Sequence, residues 1–177
     1  MQTYIALLRG INVGGHKKVP MSELRELLTK SGLENVKTYI QSGNVIFKCR
    51  EIPLPQLENG IQKSIKVHFG FDVSVLVRTR KQLQIIFDDC PYPEAKKVNS
   101  YFAMLSEVPN KDLVKEAYEK TYENEEYKIQ NDCLYFYCAN GYGNAKFNMN
   151  YFERKLEVAA TSRNYKTMVK LLSLSEN

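Results

Sequence analysis

Apolar residues fall at every position of Tyr4-Ile5-Ala6-Leu7-Leu8, which predicts a central strand over residues 3–8 covered on both faces. A polar loop follows. Pro20 and Ser22 then mark a helix start, Leu24, Leu27 and Leu28 recur at helical spacing, and Gly32 supplies the stop. Residues 36–41 and 45–49 are β-rich runs joined by Ser42-Gly43-Asn44, the signature of a hairpin. Leu57, Ile61, Ile65 and Phe69 share one helical face that Gly70 closes, and Val73, Val75 and Val77 share one strand face with Leu76 on the other. Strand, helix, strand, strand, helix, strand over residues 1 to about 80 is the ferredoxin-like, or split βαβ, order.

Beyond it, residues 81–87 carry Leu83, Ile86 and Phe87 on a short helix that Cys90-Pro91-Tyr92-Pro93 cannot continue. The pattern then predicts a strand over 98–105 and a helix from Pro109-Asn110 to about Tyr122. A hairpin over 126–130 and 134–139, turned at Asn131-Asp132, and helices over 147–159 and 166–174 complete the chain. The expected fold class is α+β: a ferredoxin-like half over residues 1–90 packed against a related, interdependent βαββα half over 91–177 that ends in helices. The likeness of the halves is architectural, with no residue-level repeat visible along the chain.

Composition narrows the class without naming a function. With 177 residues, 44% of them hydrophobic and 25% charged, the chain can bury a core without disulfides or metals. A net charge of +5 is mild, the basic residues are scattered, and acids concentrate between Asp112 and Glu126, so charge permits nucleic acid without arguing for it. Cys133 and Cys138, an odd number apart on one strand, face opposite ways and cannot grip one metal, so the four cysteines read as buried thiols. Arg9 and Gly10 interrupt the first apolar run, which excludes a signal-peptide reading, and no run approaches the ~20 apolar residues of a membrane span. A cytoplasmic protein with no membrane partner is expected.

Four connections hold the candidate chemistry. The first, Arg9-Gly10-Ile11-Asn12-Val13-Gly14-Gly15-His16-Lys17-Lys18, spaces Gly10 and Gly15 as a phosphate-binding loop does. His16 stands where that loop needs lysine and Lys17 where it needs a hydroxyl, so a Walker-type ATPase is excluded. Backbone N–H groups freed by glycine, together with Arg9, still suit an anion. The second connection is Gln41-Ser42-Gly43-Asn44, where Gly43 and Asn44 also suit a turn that needs positive φ. The third runs from Asn140 to Lys146 between a strand and a helix, and the fourth, Ala160 to Tyr165, joins two helices and offers Arg163 and Asn164 for bidentate contact with phosphate or carboxylate.

Catalytic patterns are thin. His16 and His68 are the only histidines, and neither a zinc-protease His-Glu-x-x-His nor a Gly-x-Ser-x-Gly elbow occurs. Glu153 and Glu157 read as a solvated face shared with Arg154 and Lys155. Phe47 is the one aromatic in the stretch that would serve as an RNA-stacking strand, which is too little for that platform. No cofactor or metal is implied.

The loops also carry a family resemblance. Tyr4 to Gly15, then Met21, Leu24 and Arg25, then Thr38 to Phe47, together with Gly141-x-Gly143-x-x-Lys146 and Ala160 to Thr167, strongly resemble the bacterial domain-of-unknown-function family 1697. Ala145 and Tyr165 stand where that family commonly has Ser and Trp. The resemblance implies a cytoplasmic bacterial α+β protein and brings no activity. It places Arg9, Asn12, Gly14, Gly15, Gln41, Ser42, Asn44, Lys146, Arg163 and Asn164 in the shared motifs. The expected function is binding of an anionic ligand, such as a nucleotide, a phosphometabolite or a nucleic-acid segment. In that reading the loops gather where the halves meet, Arg9, Lys146 and Arg163 neutralise charge, and Asn12, Gln41 and Asn44 orient. The alternative makes the loops fold devices of a structural or protein-interaction module.

Overall fold

Strand β1 (Gln2–Arg9) runs through the middle of the first sheet, its unbroken apolar stretch buried on both faces. The computed structural model describes residues 1–176 and contains α1 (Met21–Lys30), β2 (Glu34–Tyr39), β3 (Asn44–Cys49), α2 (Leu54–Phe69) and β4 (Ser74–Thr79) after it. β1 pairs antiparallel with β3 and β4, and the sheet order β2-β3-β1-β4 is that of the ferredoxin-like arrangement. Tyr4, Ala6, Leu8, Phe47 and Val77 point to one face, where Leu24 and Leu28 of α1 and Leu57, Ile61 and Ile65 of α2 complete the core. Ile5, Leu7, Ile46 and Leu76 on the opposite face are buried as well, so that face is not an open stacking platform. α1 begins at Met21 behind Pro20, with no side-chain cap. Ser22, expected as the cap, lies inside the first turn, because the helix starts two residues earlier, with Pro20 at its fixed φ in the cap position.

α3 (Arg80–Asp88) and α4 (Glu94–Lys97) lead to β5 (Ser100–Leu105), α5 (Lys111–Ala117), β6 (Glu125–Gln130), β7 (Cys133–Cys138), α6 (Met149–Leu156), β8 (Ala160–Asn164) and α7 (Tyr165–Leu174). The second sheet has the order β6-β7-β5-β8. Residues 160–164, expected as a connection between helices, form its fourth strand. Ala-Thr-Ser-Arg-Asn shows no apolar alternation, and its hydroxyl residues imitate helix caps, which conceals the strand in the sequence. Glu153 helps to set it in place. Its carboxylate accepts from Ala160 N at 2.8 Å, so it belongs to the start of β8 and not to a solvated face.

The chain divides into two units, residues 1–84 with 170–177, and residues 85–169. The division falls inside α3 and inside α7, so each unit takes a helical segment from beyond the sheet that precedes it. In the second unit, Tyr135 Oη donates to Ile86 O at 2.8 Å and Phe87 stacks on Phe102 at 5.6 Å. In the first, Arg80 pairs with Glu176 at 3.0 Å.

Strand register shows a residue-level correspondence that the linear sequence hides. Tyr4 faces Phe47 in one sheet as Tyr101 faces Phe136 in the other, and both ring pairs stack, at 5.7 and 5.0 Å. Ile5 faces Arg78 as Phe102 faces Arg163. Thr3-Tyr4-Ile5-Ala6-Leu7-Leu8 therefore lies over Ser100-Tyr101-Phe102-Ala103-Met104-Leu105, Cys49 over Cys138 and Arg78 over Arg163. The spacing between equivalent strands differs in the two units, so no single offset aligns them. None of the four cysteines forms a disulfide. Among the described residues no helix is long and apolar enough to cross a membrane, and no group of three or more His, Cys, Asp or Glu residues could hold a metal.

Candidate functional site

The opening loop is a miniature hairpin. Asn12 N donates to Lys17 O at 3.1 Å and His16 N to Val13 O at 3.0 Å, with Gly14 and Gly15 at φ 57° and 78° forming the exposed tip. Asn12 itself sits at φ 55°, and its side chain holds the loop shut. Oδ1 accepts from Val19 N at 2.8 Å, while Nδ2 donates to Val19 O at 3.0 Å and to Gln41 O at 2.8 Å. That last bond joins the first and second candidate connections. Arg9 is half-buried at the end of β1 beside Ser74, Gln41 and Ser42 are exposed, and Lys17 Nζ reaches Asp72 O at 2.6 Å.

Asn44 does not serve positive φ. The left-handed residues of its turn are Ile40 and Gly43, whereas Asn44 is fully buried and its amide donates to Tyr39 O at 3.0 Å and Ser42 Oγ at 3.1 Å. Gly43 has a second constraint: a Cβ there would lie 2.6 Å from Leu8 Cβ. Leu8 N donates to Gly43 O at 2.8 Å, which explains why the backbones approach so closely.

In the second unit, the start of β5 and the ends of β7 and β8 surround a cavity of about 320 Å³. Asn99, Tyr101, Tyr137, Gly141, Asn164 and Lys166 are among its lining residues. Asn164 Oδ1 caps α7 by accepting from Thr167 N at 2.9 Å. Tyr142 lies against the Tyr101 ring at 4.9 Å, and Tyr165 Oη donates to Glu94 Oε1 at 3.2 Å. Lys96 sits 5.4 Å above the Tyr137 ring and pairs with Glu126, whereas Lys166 is exposed and makes no ion pair among the described residues.

Gly141 also borders a smaller cavity of about 110 Å³ shared with Glu125, Asn140 and Lys146. The Lys146 backbone N–H donates to Glu125 Oε1, leaving its ammonium group exposed at the rim. Arg163 is buried, and Nη1 donates to Ser162 O at 2.8 Å. Burial pushes its guanidinium down to about 10, so it keeps its charge at neutral pH.

The candidate residues are thus brought together by pairs within each unit: Asn12 with Gln41 in the first, Gly141 with Asn164 and Gly141 with Lys146 in the second. Asn99, Tyr101, Tyr137 and Lys166 were not legible as cavity residues. Only the register of β8, itself hidden in the sequence, carries Asn164 and Lys166 to the ends of β5 and β7.

The chain belongs to the family described as "Protein of unknown function (DUF1697)", which matches residues 1–135. It is similar in structure to the conserved bacterial protein SP0830 from Streptococcus pneumoniae, with a TM-score of 0.78 and 26% sequence identity, covering 100% of this chain and 99% of that one. No curated protein matches the sequence.

Proposed function

We propose that this DUF1697 member is a binding protein for a small anionic ligand, a nucleotide or phosphometabolite, taken up at the end of its C-terminal sheet. The observation that carries the reading is the cavity of about 320 Å³ that Asn164 and Gly141 share with the exposed Lys166. Its size is at the lower end of small-molecule sites, roughly 300–1,000 Å³, and too small for a duplex. Lys166 supplies the charge, and the amides of Asn99 and Asn164 supply polar groups that set orientation.

A thermal-shift screen of the intact chain against inorganic phosphate, sugar phosphates and nucleotides tests this. A ligand at a hundred times its Kd stabilises by about 2.7 kcal/mol, and each kcal/mol moves the Tm of a protein of this size by roughly 2–4 °C. A rise of that order that Lys166→Glu abolishes is expected. A flat screen overturns the proposal.

The N-terminal loops favour the second reading, in which they serve the fold. The Asn12 amide bonds the Val19 backbone on both sides and Gln41 O, and the Asn44 amide bonds within its own turn. These side chains position loops and do not present themselves to a ligand.

A further inference from the structure

Resting on the anion-binding reading, we infer that the ligand of the C-terminal cavity carries a planar heteroaromatic ring beside its anion, as a nucleoside phosphate does. The first unit acts as an internal control, because strand register identifies the corner of its sheet equivalent to the cavity. Gln2, Tyr4, Lys48 and Thr79 there correspond to Asn99, Tyr101, Tyr137 and Asn164.

The Tyr4 side of that corner is closed in the first unit, whereas on the other face Thr3 and Lys48 border a separate cavity of about 280 Å³ that has Lys37 and Glu176 in its wall and no tyrosine. Tyr4 is 1% exposed, and its hydroxyl donates to Gln2 Oε1 at 3.0 Å. Thr79 accepts from Gln82 N at 3.1 Å as Asn164 does from Thr167 N, and in the first unit alone the bond is returned, Thr79 N donating to Gln82 Oε1 at 2.9 Å. In the second unit, the Asn99 amide donates to Ala95 O at 3.3 Å, Tyr101 is half-buried, and the corner is open. The two units share a strand frame, and what differs is that one of them leaves a tyrosine-lined space at the sheet's end.

The opening comes with aromatic substitution. Lys48 of the first unit is replaced by Tyr137, and Tyr142 covers the outer side of Tyr101. Tyr101 and Tyr137 come from opposite faces of the sheet, since Tyr101 pairs with Phe136 and adjacent residues alternate, yet both line the cavity where the sheet stops. Tyr165 adds a third ring, fixed by its bond to Glu94. A phosphate alone would use Lys166 and the amides and make no use of the half-buried rings that line the cavity. A ligand with a nucleobase-like ring uses both, because every base offers a π-face to an aromatic side chain.

Titration calorimetry of the intact chain with inorganic phosphate, ribose 5-phosphate and the adenosine, guanosine, cytidine and uridine 5′-monophosphates separates the claims. At least one nucleoside monophosphate is expected to bind roughly 5- to 150-fold more tightly than ribose 5-phosphate, the range that one base–aromatic stack supplies. Tyr137→Leu is expected to shrink that ratio to within about threefold, the residual stacking on Tyr101 being partial, while Tyr137→Phe keeps it. Lys166→Glu, at an exposed position that does not threaten folding, weakens all phosphates together. If ribose 5-phosphate binds as well as every nucleotide, the aromatic inference fails and the anion site stands. If none of the compounds binds, both fail.

Discussion

Asn12 decides whether the opening loop keeps its shape. Val19 is fully buried, and its N–H finds its acceptor in the Asn12 carboxamide. Asn12→Ala leaves that donor unsatisfied and is expected to cost about 1–3 kcal/mol, read as a lower urea midpoint, with phosphate-ligand affinity at the C-terminal cavity unchanged. A loss of affinity equal to that of Lys166→Glu would return the loop to the site. At this scale the sequence was legible in part. It marked Asn12, Asn44 and Arg163 as residues with a specific task, because Asn at a turn and Arg beside a cap signal are chemically pointed choices. It could not tell ligand from backbone as the partner, since Val19 O, Gln41 O and Tyr39 O, which accept from Asn12 and Asn44, are carbonyl groups that every residue carries.

Among the elements, strands with apolar alternation or a continuous apolar run were legible and β8 was not, and the candidate site follows the same division. β7 carries a further consequence through Cys138. Burial first, and then the Glu125 carboxylate, push this thiol up to about 11 from an ordinary 9.0. The folded chain therefore keeps the proton after the unfolded chain has lost it, so this contribution to stability is complete below pH 9 and is lost as pH rises through about 11. Burial pushes the Tyr127 phenol up to about 12, which extends the same slope to higher pH. Arg163 acts with the opposite sign, because its lowered value lets the folded chain release a proton first. Denaturant unfolding at pH 8.5 and pH 10.5 is expected to show the wild type losing stability across that interval and Cys138→Ala losing less. Equal losses would mean that the thiol titrates as it does in an unfolded chain.

For the whole molecule, the division inside α3 and α7 makes residues 170–177 part of the N-terminal unit. Leu171 and Leu172 are buried there, and losing a buried leucine side chain typically costs 2–5 kcal/mol. Deleting residues 170–177 is expected to lower the calorimetric Tm and to split or broaden the transition, with the early phase reporting the N-terminal unit. An unchanged single transition would count against interdependence of the halves. The exchange of helix ends was invisible in the sequence because a helical face announces that it will be buried and never against which sheet.

The likeness of β1 and β5 reaches beyond the finished structure to how it is reached. Each is the centre strand of its sheet, each offers Tyr, Ala and Leu at the same positions, and Leu8 and Leu105 donate alike to Gly43 O and Asp132 O at 2.8 Å. An unfolded chain thus holds two nearly interchangeable templates for each outer hairpin, and hydrophobic patterning does not reject the wrong pairing. Distance along the chain does reject it, but only weakly, since each doubling of a loop costs about 0.6 kcal/mol. At high protein concentration a neighbouring molecule competes with the chain's own strand on close to equal terms, so renaturation is a contest that dilution decides.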